Sequence, residues 1–197
     1  MLLDIVILPP ALIRAKVGKF ARTLAKSMPV RYVIDNHKLI PHVSLFHINI
    51  SKNRLDKLID VVKKISLHIK PFKIIGGKIN VGTISLEINF KKSKQIRLLN
   101  KKVVNSCSRL RTGKMPWMLK RKPIIDEKKL IRRYGTYGTI GKNFEPHITL
   151  LVKFLKKENI FKPPSVYTTS FIANNITICQ VNYWHQVTKI IKQFKVK

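Results

Sequence analysis

Two tetrapeptides constrain this chain more than any other feature: His42-Val43-Ser44-Leu45 and His147-Ile148-Thr149-Leu150. Each follows a proline, Pro41 and Pro146, and each opens a strand-like run, His42 to Ile50 and His147 to Phe154. Side chains alternate faces along a strand. Burying Val43, Leu45, Ile148 and Leu150 therefore puts an imidazole and a hydroxyl on the opposite face of each segment. The two copies lie in the two halves of the chain and share polarity, preceding proline and following strand. That pairing predicts an internal duplication rather than two unrelated histidines.

Two imidazoles near neutral pH supply a base and an acid. Two hydroxyls supply donors for phosphate oxygens. A phosphodiester beside a ribose hydroxyl needs no more than this: a base on the attacking oxygen, an acid on the leaving oxygen, and donors for the charge that develops between them. His42 and His147 are thus the candidate catalytic pair, and Ser44 and Thr149 the candidate phosphate binders. Which histidine is the base stays open, and the two should titrate as a coupled pair. The nine acidic residues are scattered, so no carboxylate cluster for Mg²⁺ is expected, and neither metal nor cofactor is implied.

With both His-x-Ser/Thr-apolar motifs in place, the chain resembles the 2H phosphoesterase superfamily. That group includes the 2′-5′ RNA ligase/cyclic phosphodiesterase proteins of bacteria and archaea. The resemblance spans nearly the whole chain in element order. It implies a bilobal α+β fold with pseudo-two-fold symmetry, in which two antiparallel-rich sheets enclose a central cleft and the motif strands face each other across it. It also implies a metal-independent phosphoesterase acting on 2′,3′-cyclic or 2′-5′ linkages of RNA ends or small nucleotides. The alternative is an RNA-binding protein that keeps the fold without turnover. The motifs are further apart than expected for the smaller members, and the extra length is assigned to a basic, glycine-rich insertion at about 109–143 within one domain of 1–197.

Charge bears on the partner. Forty Lys and Arg stand against nine Asp and Glu, for a formal net charge of +31. Such a surplus favours polyanions, nucleic acid first. A lysine-rich composition from an AT-rich genome would produce the same count. Cys107 and Cys179 show neither a CxxC pattern nor zinc spacing, and read as buried thiols of a reducing compartment. The apolar start, Met1 to Leu8, carries Asp4 and reads as a first strand rather than a signal peptide. No apolar run reaches a membrane-spanning length. The expectation is a cytoplasmic monomer.

The remaining pattern predicts a strand over 2–8, a helix after Pro9-Pro10, a short strand over 30–34 and a turn at Asp35-Asn36-His37. A helix capped by Asn53 follows, then a hairpin of 72–81 with 83–90 and a helix over 93–110. Residues 111–143 read as irregular, Pro163-Pro164 as a loop, 171–183 as a strand pair or one long strand, and the end as a lysine-rich tail. Phe46, on the predicted face of His42 and Ser44, could stack a base or join the core. Lys153, with Leu151, shares the predicted face of His147 and Thr149 and could meet phosphate. Arg132, Arg133, Tyr134 and Tyr137 interleave aromatic and cationic side chains, as single-strand RNA binders do. His47 alternates away from His42, and His68 and His185 stand alone. All three read as structural.

Overall fold

The computed structural model describes residues 1–82, 84–116, 124–153 and 169–197. Pro163-Pro164 and Phe154 lie outside the described residues. Strand β1 (Leu2–Ile7) runs into Pro9-Pro10, and helix α1 (Ala11–Ala25) follows with Pro10 at its N-cap. Then come β2 (Val30–Val33), β3 (Val43–Asn49), α2 (Leu55–Ser66), β4 (Phe72–Ile74), β5 (Gly76–Val81), β6 (Ser85–Phe90) and α3 (Lys94–Cys107). Helix α4 (Ile125–Tyr134), β7 (His147–Lys153), β8 (Phe171–Ala173), β9 (Asn175–Val181) and β10 (Val187–Lys195) complete the order.

The strands form two four-stranded antiparallel sheets, ordered β10-β9-β1-β3 and β2-β7-β6-β5, with a separate ribbon of β4 and β8. Each motif strand sits in its own sheet. Neither sheet is built from one half of the sequence. The first draws its outer pair from the C-terminal end, and the second places β2 beside β7. The two motifs thus lie in sheets that each draw strands from both halves of the chain.

β1 is buried along almost its whole length because it lies between β9 and β3, so its sequence is apolar on both faces apart from Asp4. Helix α1 packs on β2 and β7, α2 on β9 and β10, and α3 on β3. The helices thus cover the outer faces, as expected. Gly18 lets α1 close on the turn that precedes β3: a Cβ there would meet the Asp35 carbonyl oxygen at 2.6 Å. That turn forms as the sequence predicts, with Asp35 Oδ1 accepting from the amides of His37, Lys38 and Leu39.

Four expectations change. Asn53 does not cap α2; it lies in a 3₁₀ turn, Lys52–Arg54, and accepts a hydrogen bond from the Ser51 hydroxyl. The predicted 72–81 strand splits at Ile75, so that β4 pairs with β8 and β5 alone pairs with β6. Residues 111–143 contain helix α4. Its signals were acids in the first turn, Asp126 and Glu127, and bases in the last, Arg132 and Arg133, closed by Gly135 at φ 76°; these suit the helix dipole and a left-handed cap. The lysine-rich tail is mostly a strand, β10. Two register irregularities break its alternation, and its lysines suit an exposed sheet edge.

Candidate functional site

The two motifs meet at one cleft. Its volume is about 840 Å³, and its walls include His42, Ser44, His147 and Thr149 together with His47, Glu87, Tyr137, Thr139, Lys153, Trp184 and His185. His42 is buried at 7% exposure, whereas His147 is more open at 33%.

The prolines have a geometric role. Nδ1 of His42 donates to the Ile40 carbonyl at 2.7 Å, and Nδ1 of His147 donates to the Glu145 carbonyl at 2.8 Å. In each motif the acceptor sits two residues back, across the proline. A residue before proline is held extended, which aims its carbonyl at the following histidine. Both rings are thus fixed in the same tautomer with Nε2 left for chemistry.

Both motif strands carry a β-bulge at the same motif position. Ile5 pairs with Phe46 but Val6 pairs with Ser44, which makes Leu45 the extra residue. Leu86 pairs with Leu151 but Glu87 pairs with Thr149, which makes Leu150 the extra residue. A bulge inverts the alternation that follows it. Hence Phe46 is fully buried in the core rather than on the cleft wall, and its reading as a base-stacking residue is corrected. His47 swings into the cleft in its place. On β7, Leu151 is likewise buried and Val152 lines the cleft, with Lys153 beside it.

Asn100 holds this arrangement from behind. Its buried side-chain amide donates to the Leu45 carbonyl at the bulge, 2.8 Å, and to the Thr139 carbonyl of the cleft loop, 2.9 Å.

The two halves differ in their carboxylates. Asp4, wholly buried on β1, accepts from Ser44 Oγ at 2.6 Å and lies 3.1 Å from His47 Nε2 and 3.7 Å from His42 Nε2. Burial would raise the Asp4 carboxyl, but His47, His42 and Ser44 together bring it below its ordinary value. Burial holds the His42 imidazole below its ordinary value, against the opposing pull of Asp4, and the charge of His147 pushes the same way as burial. On the other side Glu87 accepts from Ser85 Oγ at 2.6 Å and lies 3.9 Å from His147 Nε2.

Sequence reasoning missed Asp4, His47, Glu87 and His185. One signal was present: an acid inside an apolar strand is costly to bury without partners. His185 stacks on His47 with ring centroids 4.5 Å apart, at φ 62° in the turn after β9. Arg132, Arg133 and Tyr134 do not line the cleft; Tyr137 does. His68 is exposed and bonds the Lys64 carbonyl. Both cysteines are buried free thiols. Among the described residues no three His, Cys, Asp or Glu side chains group to hold a metal ion, and no helix is long and apolar enough to cross a membrane.

Burial pushes the His185 imidazole down to about 3. A histidine whose folded value lies below its unfolded one contributes stability above the unfolded value, and that stability is lost as pH falls. His42 acts in the same direction, and Asp4 adds to the loss at lower pH. The melting temperature should therefore fall steadily from pH 7 to pH 4. His185→Asn tolerates the positive φ and should flatten that slope; parallel curves for the variant and the parent would show that His185 contributes nothing to it.

No protein-family model matches the sequence, and no curated protein matches it. The fold has well-matched counterparts among solved structures. TT0787 of Thermus thermophilus superposes with a TM-score of 0.68 at 15% identity, covering 100% of this chain and 98% of that one. A structure described as a phosphoesterase gives 0.64 at 13% identity, covering 98% and 97%. Escherichia coli LigT complexed with 3′-AMP gives 0.62 at 14% identity, covering 98% and 96%. The chain shares the fold of these structures, and its two His-x-Ser/Thr motifs face one cleft.

Proposed function

We propose that the protein is a metal-independent phosphoesterase that opens 2′,3′-cyclic or 2′-5′ phosphodiester linkages of RNA ends or nucleotides. One observation carries this reading: both motif imidazoles line the same cleft with Nδ1 committed to backbone, so that two Nε2 atoms remain for a phosphorus between them. The nucleotide complexes of LigT, with 3′-AMP and with ATP, support a nucleotide-sized ligand.

For hydrolysis of a cyclic phosphate, His42 takes a proton from water through Nε2. The water oxygen bonds to phosphorus, one phosphorus–ribose oxygen bond breaks, and His147 gives its proton to the departing oxygen. Burial keeps His42 neutral and fit to be the base, while His147, the more open of the two with Glu87 3.9 Å from its Nε2, is placed as the acid. The reverse reaction exchanges the roles. The test is release of a nucleotide monophosphate from a 2′,3′-cyclic nucleotide in excess EDTA. Turnover there supports the reading; loss in EDTA that Mg²⁺ or Zn²⁺ restores overturns it.

The two hydroxyls should separate. Thr149→Ala should lower kcat/KM about 10²-fold, the scale of one lost oxyanion donor, with little effect on melting. Ser44→Ala should lower the rate and also melt earlier, because it removes a hydrogen bond to a buried carboxylate worth about 1.5–3 kcal/mol. Equal melting curves for the two variants, measured by calorimetry, would contradict this division.

A further inference from the structure

Two of the residues read from the sequence as RNA contacts but absent from the catalytic cleft, Arg133 and Tyr134, line a second cavity. Arg109, Arg111 and Arg133 surround it with Tyr134, Asn105 and Ser108, a volume of about 650 Å³ with no acidic side chain among the described residues of its wall. Arg111 is the structural member of this set. Its guanidinium donates to the carbonyls of Arg132, 2.6 Å, and Arg133, 3.2 Å, which closes the C-terminal end of α4 where a cation is favoured. Arg109 and Arg133 are exposed. The Arg133 guanidinium lies 5.2 Å from the Tyr134 ring centroid, pairing a planar cation with an aromatic face.

This cavity neighbours the catalytic cleft through one short segment. Tyr134 ends α4, Gly135 turns the chain at φ 76°, and Thr136 and Tyr137 already line the cleft. Consecutive Cα atoms are about 3.8 Å apart, so Tyr134 and Tyr137 are at most about 11 Å from each other. The walls of the cleft and of the cavity are thus joined by a segment of that length.

We propose that the Arg109–Arg133–Tyr134 cavity is an RNA subsite, holding phosphate and a base of a single strand whose reactive end occupies the cleft. This rests on the phosphoesterase reading and makes the substrate an RNA end rather than a free nucleotide. Arg guanidinium groups match phosphate in a fork geometry. Tyr134 and Arg133 offer stacking surfaces, which single-stranded nucleic acid uses without sequence preference. Asn105 and Ser108 add neutral hydrogen-bonding groups.

The experiment measures binding of a labelled oligoribonucleotide with an unreactive 3′ end across a salt series. The proteins are wild type, Arg109→Ala/Arg133→Ala, and Lys57→Ala/Lys63→Ala as a charge-matched control on α2. Both arginines act through exposed side chains, and Arg111 keeps its backbone acceptors in the variant. The arginine double variant should bind about tenfold more weakly, a modest loss for two charge-assisted contacts. Its log–log salt slope should be smaller by about 1.4, from roughly 0.7 per phosphate contact on a single strand. The lysine variant should stay near wild type, and turnover of a 2′,3′-cyclic mononucleotide should be the same in all three. Wild-type affinity and slope in the arginine variant, an equal loss in the lysine variant, or no RNA binding by wild type would each overturn the subsite. Absence of mononucleotide turnover in wild type would count against the phosphoesterase reading alone, since the binding series does not depend on it.

Discussion

His42→Ala and His147→Ala should each lower turnover of a 2′,3′-cyclic nucleotide by about 10²–10⁴-fold, the range for losing one positioned proton-transfer group. Both variants should fold. His147 is partly open, and His42, though buried, lines the cleft, where a smaller side chain enlarges an existing space. The two losses should not multiply in the double variant, because groups acting in one step are strongly non-additive. The parent should show a bell-shaped pH profile and each single variant should lose one limb. Near-parental kcat/KM in either single variant would exclude the paired mechanism. If wild type has no turnover at all, the 2H fold would be serving RNA binding instead.

Phe46→Ala should act in the opposite way. The Leu45 bulge sends this ring into the core, where it is fully buried. Truncating a buried Phe costs about 3–5 kcal/mol. A marginally stable domain has only about 5–15 kcal/mol in total. The variant should therefore melt far earlier, while the folded fraction retains the parental KM for a cyclic nucleotide. Phe46→Leu should recover most of the stability. A raised KM with unchanged melting would return Phe46 to the cleft wall.

The pair of motifs was legible because it repeats polarity, proline and strand at two places. The duplicated pattern pointed to His42, Ser44, His147 and Thr149, which all line the cleft. What alternation could not supply was the bulge. One extra residue, Leu45, moves Phe46 inward and His47 outward, and nothing in the side-chain pattern of β3 marks where a strand gains a residue. Leu150 does the same to Leu151 and Val152. The role of Asp4 was unreadable for a related reason: its partners Ser44 and His47 lie on a neighbouring strand, and only the β1–β3 register brings them together. The α4 helix was readable from its end charges and Gly135, but the glycine density around it masked the helical pattern. The β10 strand was hidden by lysines that sit well at a sheet edge.

The interleaving of the sheets governs how this chain can mature on the ribosome. Strand β1 forms its inner ladder with β9, and the Leu8 amide and carbonyl are both satisfied by the Asn175 side chain, 167 positions downstream. Synthesis at about 5–20 residues per second separates those two events by on the order of ten seconds or more. Throughout that interval the nascent chain carries an apolar strand without its second neighbour, and the β3 edge alone can shelter it. Placing β1 and β9 side by side thus makes completion of this sheet one of the last events of synthesis.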